Sequence, residues 1–118
     1  MKIRDIEKRT FDFSIRIVKL CQHLDQHQGV GRTIGKQLLR AGTSIGANVE
    51  EAQAGQSRAD FISKYAIALK EARETHYWLR LLSATEILPV ERLSELQSEA
   101  QELARIIGSI IVTAKLKK

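Results

Sequence analysis

The sequence predicts an all-α protein that folds as an antiparallel up-and-down four-helix bundle. The chain has one proline and seven glycines among its 118 residues, so few positions can form turns and the elements between them must be long. Apolar residues recur at alternating spacings of three and four, which is the helical period. Apolar residues at 43% and charged residues at 28% are typical of a globular chain, and this length suits one domain over residues 1–118.

The first two predicted helices are bounded by glycines. The first is expected over residues 6–28, with Gly29 and Gly31 closing it. The second is expected over residues 33–54 and ends before Gly55. Its apolar seam includes one asparagine and consists of Ile34, Leu38, Ala41, Ile45, Asn48 and Ala52.

The last two predicted helices begin at recognisable start signals. Ser57, with Asp60 three residues later, can satisfy the free amides of a third helix over residues 57–84. Pro89 is tolerated in a first helical turn, so the fourth helix is expected over residues 89–115. Because all four segments are amphipathic and the loops between them are short, antiparallel packing is expected.

The first helix carries more apolar surface than one bundle core can cover. Its polar side chains form a narrow stripe, whereas the apolar ones spread over more than half of the circumference. Another molecule usually covers such a surface on a soluble protein, so we expect self-association; a helix placed deep in its own bundle is the alternative. The apolar residues are Phe11, Phe13, Ile15, Ile17, Val18, Leu20, Cys21 and Leu24.

Cysteine usage and hydropathy indicate a soluble, cytoplasmic protein. The single cysteine, Cys21, cannot form an internal disulfide and lies among apolar residues, so it is expected in the core. We recognise no secretory signal pattern and no run of about 18 apolar residues that could span a membrane.

The distribution of charge favours an anionic partner. The formal net charge is +5 at pH 7 and the pI is about 9.6. Residues 1–40 hold nine basic and four acidic side chains, residues 41–114 hold seven basic and ten acidic ones, and three lysines follow. The excess therefore lies in the first third of the chain and at its C-terminal tip. A protein that binds nucleic acid is expected to show such a field, although many basic proteins bind none.

No motif predicts an enzyme, a cofactor, a metal site or a small-molecule substrate. The segment from Gly29 to Lys36 is similar to a phosphate loop, but that pattern requires glycine at Val30 and a hydroxyl residue at Gln37. A di-metal bundle site requires Glu-x-x-His pairs, which the sequence does not contain. No serine or cysteine lies in a nucleophile motif.

The stretch around Gly42 and Gly46 predicts a close helix contact that includes a polar element. The two glycines lie on one helix face, where a neighbouring helix can approach. Asn48 lies in the apolar seam and needs hydrogen-bond partners, which polar residues of the third helix can provide. We expect a structural network that fixes register rather than a ligand site. It comprises Asn48, Glu51, Glu71 and Glu74, with Arg73 and Thr75 as further candidate partners.

Two basic ridges are the candidate contacts for a polyanion. Arg32, Lys36 and Arg40 follow each other at spacings of four on the second helix, and Arg16 and Lys19 form a second ridge on the first. A solvated surface is the alternative interpretation, and several subunits would multiply the ridges into a multivalent surface. Most aromatic side chains lie on predicted core stripes, so phosphate contacts are expected rather than base stacking. The aromatic residues are Phe11, Phe13, Phe61, Tyr65, Tyr77 and Trp78.

One part of the chain resembles a known bacterial family. The stretch runs from Gln37 to Leu82, which is 46 of the 118 residues. Its most specific segments are Gln37–Ala52, Asp60–Phe61, Ala68–Thr75 and Tyr77–Leu79. They resemble the small four-helix bundle proteins encoded in intervening sequences of bacterial 23S rRNA genes. These proteins are in turn similar to the accessory variability determinant of diversity-generating retroelements.

The resemblance implies an antiparallel four-helix bundle that assembles as a homopentamer and has a basic surface. For the retroelement relatives it implies binding to nucleic acid and to a reverse transcriptase. For the intervening-sequence proteins it implies no established biochemical role.

Together, the residues and the resemblance predict a non-enzymatic, oligomeric bundle that binds RNA or DNA through phosphates. Arg32, Lys36 and Arg40 are the expected contacts, and Arg16 and Lys19 come second. The alternative is a scaffold or accessory subunit whose basic surface docks an acidic protein such as a reverse transcriptase.

Overall fold

The structure, a computed structural model, describes residues 3–26 and 28–117, with side chains from Asp5 onward. These residues form four α-helices and no strand, which confirms the predicted all-α class. The helices are α1 (Ile3–Asp25), α2 (Val30–Gln53), α3 (Arg58–Ala84) and α4 (Val90–Leu116). His27, within the first predicted helix, and Lys118, the last of the C-terminal lysines, lie outside the described residues.

The ends of the helices follow from local backbone chemistry. Gly29 precedes α2 with φ +110°, a conformation that glycine adopts without strain. Gly31 lies inside α2, whereas the sequence predicts it at the close of the first helix, so that prediction is wrong. The Ser57 hydroxyl accepts a hydrogen bond from the amide of Asp60 at 3.1 Å, which is the predicted cap of α3. Pro89 precedes α4 in an extended conformation.

Helices that follow each other along the chain pack side by side and antiparallel. Each helix packs against the next along the chain, whereas α1 and α4 meet at fewer positions. The ion pairs Arg9–Glu99 and Arg16–Glu95 join α1 to α4, and residue numbers rise along one helix as they fall along the other. The described part of the chain measures 50 × 21 × 19 Å, which is the elongated shape of an up-and-down bundle.

Glycines allow α1 and α2 to approach closely, as the sequence predicts. A Cβ at Gly42 would lie 2.8 Å from Cγ2 of Ile17, and one at Gly46 would lie 3.2 Å from the carbonyl oxygen of Thr10. Glycine inside a helix costs about 0.5–1 kcal/mol relative to alanine. The close α1–α2 contact offsets that cost.

The core is apolar along the bundle. The predicted seam of α2 is buried except for Asn48, which is half-buried. Cys21 is buried as predicted, and its thiol donates to the carbonyl oxygen of Gly35 at 3.3 Å. Burial raises the pKa of Cys21 to about 11, so the thiol stays protonated at neutral pH. The largest fully buried side chains include Tyr65, Phe13, Ile6, Ile17, Leu38 and Ile45.

Candidate nucleic-acid interface

The α2 ridge (Arg32, Lys36 and Arg40) lies along the exposed side of α2. Arg32 donates through Nε to Oδ1 of Asp25 at 2.9 Å, and both side chains remain well exposed. Lys36 makes no hydrogen bond or ion pair with any residue that the structure describes. Two of the three predicted cations therefore face solvent without a buried partner.

Arg40 differs from the other two ridge cations because α3 holds it. Its guanidinium donates to Glu71 at 3.1 Å and also to Glu74. Trp78 donates through Nε1 to the same carboxylate of Glu74 at 3.0 Å. The Glu71 side chain is only 10% exposed, so removal of its partner would leave a nearly buried charge. Arg40 therefore stabilises the α2–α3 contact, and two carboxylates compensate its charge.

The predicted polar network is rearranged around Asn48. Its amide donates to the carbonyl oxygen of Ser44 at 2.8 Å, within α2, and not to α3. Glu71 and Glu74 do lie together at the α2–α3 contact, but Arg40 joins them and Asn48 does not. The physical reason is that a half-buried asparagine can bond to the carbonyl four residues earlier in its own helix.

Two further contacts join α2 to α3 near the loop between them. Glu51, the fourth member of the predicted network, is exposed and forms an ion pair with Lys64 at 3.7 Å. Gln53 donates through Nε2 to the hydroxyl of Tyr65 at 2.9 Å. Burial raises the pKa of Tyr65 to about 12, so the phenol stays protonated at neutral pH.

The N-terminus of α2 lies beside Arg32, whose ion pair with Asp25 is exposed, and Lys36, which has no partner among the described residues. No side chain caps this helix start, and its first turn contains no acidic residue. An open depression there is lined by Gln28, Gly29, Val30, Arg32, Thr33 and Lys36. Free backbone amides and the helix dipole favour an anion at such a point. The arrangement can therefore hold a phosphate group.

The α1 ridge (Arg16 and Lys19) lies on a different side of the bundle from the α2 ridge. Arg16 forms an exposed ion pair with Glu95 of α4 at 3.4 Å. Lys19 is exposed and makes no ion pair within the described ranges. Since Lys19 follows Arg16 by three residues, both lie toward α4. The structure does not merge the two ridges into one surface.

An apolar strip remains exposed on the outer side of α1 and α2. We define it as Phe11, Ile15 and Val18 of α1 with Leu39 of α2, whose exposed fractions are 56%, 40%, 39% and 38%. Val18 and Leu39 line one shallow pocket together with Lys36. Its three α1 members are the part of the apolar surface of α1 that the bundle core does not cover, as the sequence predicts.

A further basic surface lies on α3 and has no counterpart in the sequence predictions. We define the α3 outer face as Lys70, Arg73, Tyr77 and Arg80, all of which are exposed. Tyr77 is 50% exposed and lies off the core stripe, so an aromatic ring is accessible among cations after all. The spacing of three, four and three residues was the available signal, because it places these residues on one side of the helix.

The described residues include no metal-binding cluster and no membrane-spanning helix, but they line a cavity. Among residues 3–26 and 28–117, no group of three or more His, Cys, Asp or Glu side chains could hold a metal ion. None of the described helices has the length and hydropathy needed to cross a membrane. A cavity of about 850 Å³ lies between α4 and the α2–α3 connection. Its charged lining residues are Arg58, Arg105 and Lys117, of which Arg105 is bound to Glu102.

Comparisons with known proteins agree with this fold. A family model described as 23S rRNA-intervening sequence protein matches residues 4–109. The crystal structure of a protein of unknown function from the S23 ribosomal protein family of Bacteroides thetaiotaomicron is also similar, with 44% sequence identity and a TM-score of 0.83. The match covers 90% of this chain and 97% of that one. No curated protein matches the chain. Because the family model spans most of the bundle, the chain belongs to the 23S rRNA-intervening sequence protein family.

Proposed function

We propose that this protein is a non-enzymatic, cytoplasmic bundle that binds RNA or DNA through phosphate contacts on α2. The observation that carries the proposal is the uncapped start of α2 beside Lys36, which has no partner among the described residues. Arg32 lines the same depression, and its ion pair with Asp25 is exposed. Exposed ion pairs contribute little free energy, so a phosphate can replace the Asp25 carboxylate as the partner of Arg32.

The remaining ridge cations have different roles in this proposal. Arg16 and Lys19 provide a second, weaker phosphate surface toward α4, because one is unpaired and the other has only an exposed partner. Arg40 is assigned to the structure of the bundle because Glu71 and Glu74 hold it.

The proposal includes self-association, with the homopentamer of the family resemblance as the expected assembly. The apolar strip supports a subunit interface, because its four side chains are between 38% and 56% exposed in a single chain. Several subunits would also present several copies of the α2 ridge to one polyanion. Such multivalency increases affinity without new contacts.

A protein-binding scaffold is the second candidate, and the apolar strip favours it. Protein interfaces combine an apolar centre with a polar rim, and Leu39 and Val18 lie beside Lys36 in this arrangement. The matching partner would be an acidic protein with an apolar patch, such as a reverse transcriptase.

Titration of labelled duplex DNA and single-stranded RNA at increasing salt separates the two candidates. If the protein binds phosphates, a complex should form at low salt. The plot of log Kobs against log salt should then fall linearly, with a slope of about −0.9 for each phosphate of duplex DNA that is neutralised. Absence of any complex at low salt would exclude nucleic-acid binding and leave the scaffold. Light scattering on the same samples tests the assembly, and a monomer at micromolar concentration would contradict it.

Matched variants locate the contact. Lys36→Ala should weaken binding and reduce the salt slope by about 1, whereas Lys115→Ala, an exposed lysine near the end of α4, should change neither beyond a small general effect. Val30→Glu places a carboxylate in the first turn of α2, so it should leave the helix as stable or more stable while it weakens binding. Equal effects of Lys36→Ala and Lys115→Ala would contradict a site at α2.

A further inference from the structure

The α3 outer face (Lys70, Arg73, Tyr77 and Arg80) combines exposed cations with an exposed ring. The residues lie three, four and three positions apart, so they form one line along the helix. At 1.5 Å per residue this line extends for about 15 Å. The buried residues of α3 lie on the opposite side and include Ala68, Ala72, Thr75, Leu79 and Leu82.

No carboxylate compensates the cations of this face. Lys70, Arg73 and Arg80 form no ion pair with any described residue. The two neighbouring acids of α3, Glu71 and Glu74, are turned to Arg40 of α2 and are bound there. The α3 outer face therefore differs from the α2 ridge, in which two of the three cations have carboxylate partners.

His76 lies next to the cations of the α3 outer face. Burial and the positive charge of Arg80 both lower the pKa of His76. Arg80 follows His76 by four residues, so the two side chains are neighbours on the helix surface. The charged side chain that acts on His76 is therefore a cation of the α3 outer face.

Tyr77 is the exposed aromatic residue whose surroundings suit a nucleic acid. The residue is 50% exposed, and its ring makes an edge-to-face contact with Trp78, with ring centroids 5.2 Å apart and planes at 74°. Phe11 is exposed to a similar degree, but its pocket is lined by Glu7 and Glu50, which repel phosphates, and the one cation there, Lys8, is paired with Asp12. Of the two aromatic residues that are at least half exposed in the described part of the chain, Tyr77 is therefore the one that lies among unpaired cations.

We infer that the α3 outer face is a separate site for single-stranded nucleic acid, in which a base stacks on Tyr77 and flanking phosphates contact Lys70, Arg73 and Arg80. A single strand is required because a duplex keeps its bases stacked and paired. An aromatic ring among cations is the usual arrangement for single strands, and stacking is tolerant of sequence because every base has a π-face. The inference rests on the proposed nucleic-acid binding but names another surface and a narrower ligand.

The test measures binding of oligouridine of about 12 nucleotides, and of an abasic strand of the same length, at low salt. Tyr77→Leu should weaken oligouridine binding by about 5- to 150-fold and leave the abasic strand unchanged. Tyr77→Phe keeps the ring and should bind like the wild type. Arg73→Gln should weaken both ligands and reduce the salt slope by about 0.7. Trp78 is the single tryptophan of the chain and contacts Tyr77, so a base that stacks on Tyr77 should change the tryptophan fluorescence.

The outcomes separate this inference from the proposed function. If Lys36→Ala weakens oligouridine binding and Tyr77→Leu does not alter it, the α2 site stands and the inference is wrong. If Tyr77→Leu alone weakens oligouridine binding, the inference stands and the α2 site is wrong. If the wild type binds neither strand, both are wrong. If poly-glutamate competes as well as oligouridine, the face recognises acidic chains and not bases, which also overturns the inference.

Discussion

The contact between Gly42 and Ile17 provides a quantitative test of the α1–α2 packing. Gly42→Ala adds a methyl group that would lie 2.8 Å from Cγ2 and 2.9 Å from Cγ1 of Ile17. Ile17 is fully buried and β-branched, so it cannot move aside cheaply. Overpacking of a core costs about 1–3 kcal/mol, and alanine returns about 1 kcal/mol of helix propensity. We therefore expect a net loss of about 1 kcal/mol in the free energy of unfolding.

Gly108→Ala is the matched control in the same bundle. A Cβ at Gly108 meets no atom within 4 Å, so the variant gains helix propensity without a clash and should be more stable by about 0.5–1 kcal/mol. Urea denaturation at one fixed subunit concentration measures both variants, since oligomer stability depends on concentration. If Gly42→Ala proves as stable as Gly108→Ala, the close packing of α1 on α2 is refuted.

Three other changes have expected outcomes. Ser57→Ala removes the cap of α3 and should lower the free energy of unfolding by about 1 kcal/mol in urea denaturation; an unchanged value would rule out the cap. Arg40→Met leaves Glu71 nearly buried without its guanidinium and should cost about 1–3 kcal/mol, and a neutral result would show that the ion pair is not formed. Burial and Arg80 lower the pKa of His76 from 6.5, so the unfolded chain binds that proton more tightly and stability should fall as the pH drops below 6.5. Arg80→Gln should raise the pKa of His76 measured by NMR, and no change would show that the two side chains are not neighbours.

The helices could be predicted from the sequence because their signals are local. Ser57 and Asp60 interact within one turn, so three positions of sequence are enough to identify the cap. The glycine pair Gly42 and Gly46 likewise indicates a close contact, although not which residues of α1 would fill it. Gly31 was misplaced because glycine is compatible with both a helix end and a helix interior, and only Gly29 adopts the positive φ that a turn requires.

The partners of polar side chains could not be predicted in the same way. Arg40 has the spacing of an exposed ridge residue, but its long side chain reaches across to Glu71 and Glu74 on α3. Asn48 lies in an apolar seam, yet a carbonyl of its own helix satisfies it. In both cases the hydrogen-bond partner depends on how α2 is rotated about its axis relative to α3. The spacing of residues in the sequence does not determine that rotation.

The α3 outer face is not predicted from the sequence, because most aromatic residues lie on predicted core stripes. Tyr65 is indeed fully buried, but Tyr77 lies twelve positions later on the other side of the helix. At 100° per residue, twelve positions rotate a side chain by about 120°, which is enough to leave the core. Lys70, Arg73 and Arg80 lie within about 60° of Tyr77 around the helix axis and so share its exposed side.

The proposed function requires that surface cations of this bundle bind nucleic-acid phosphates. The most direct measurement is the salt dependence of oligouridine binding to the wild-type protein between about 50 and 200 mM salt. With three phosphates neutralised on α3, and more if α2 takes part, log Kobs should fall linearly with log salt at a slope of about −2 or steeper. A slope near zero, or no complex at the lowest salt, would contradict phosphate binding by these cations.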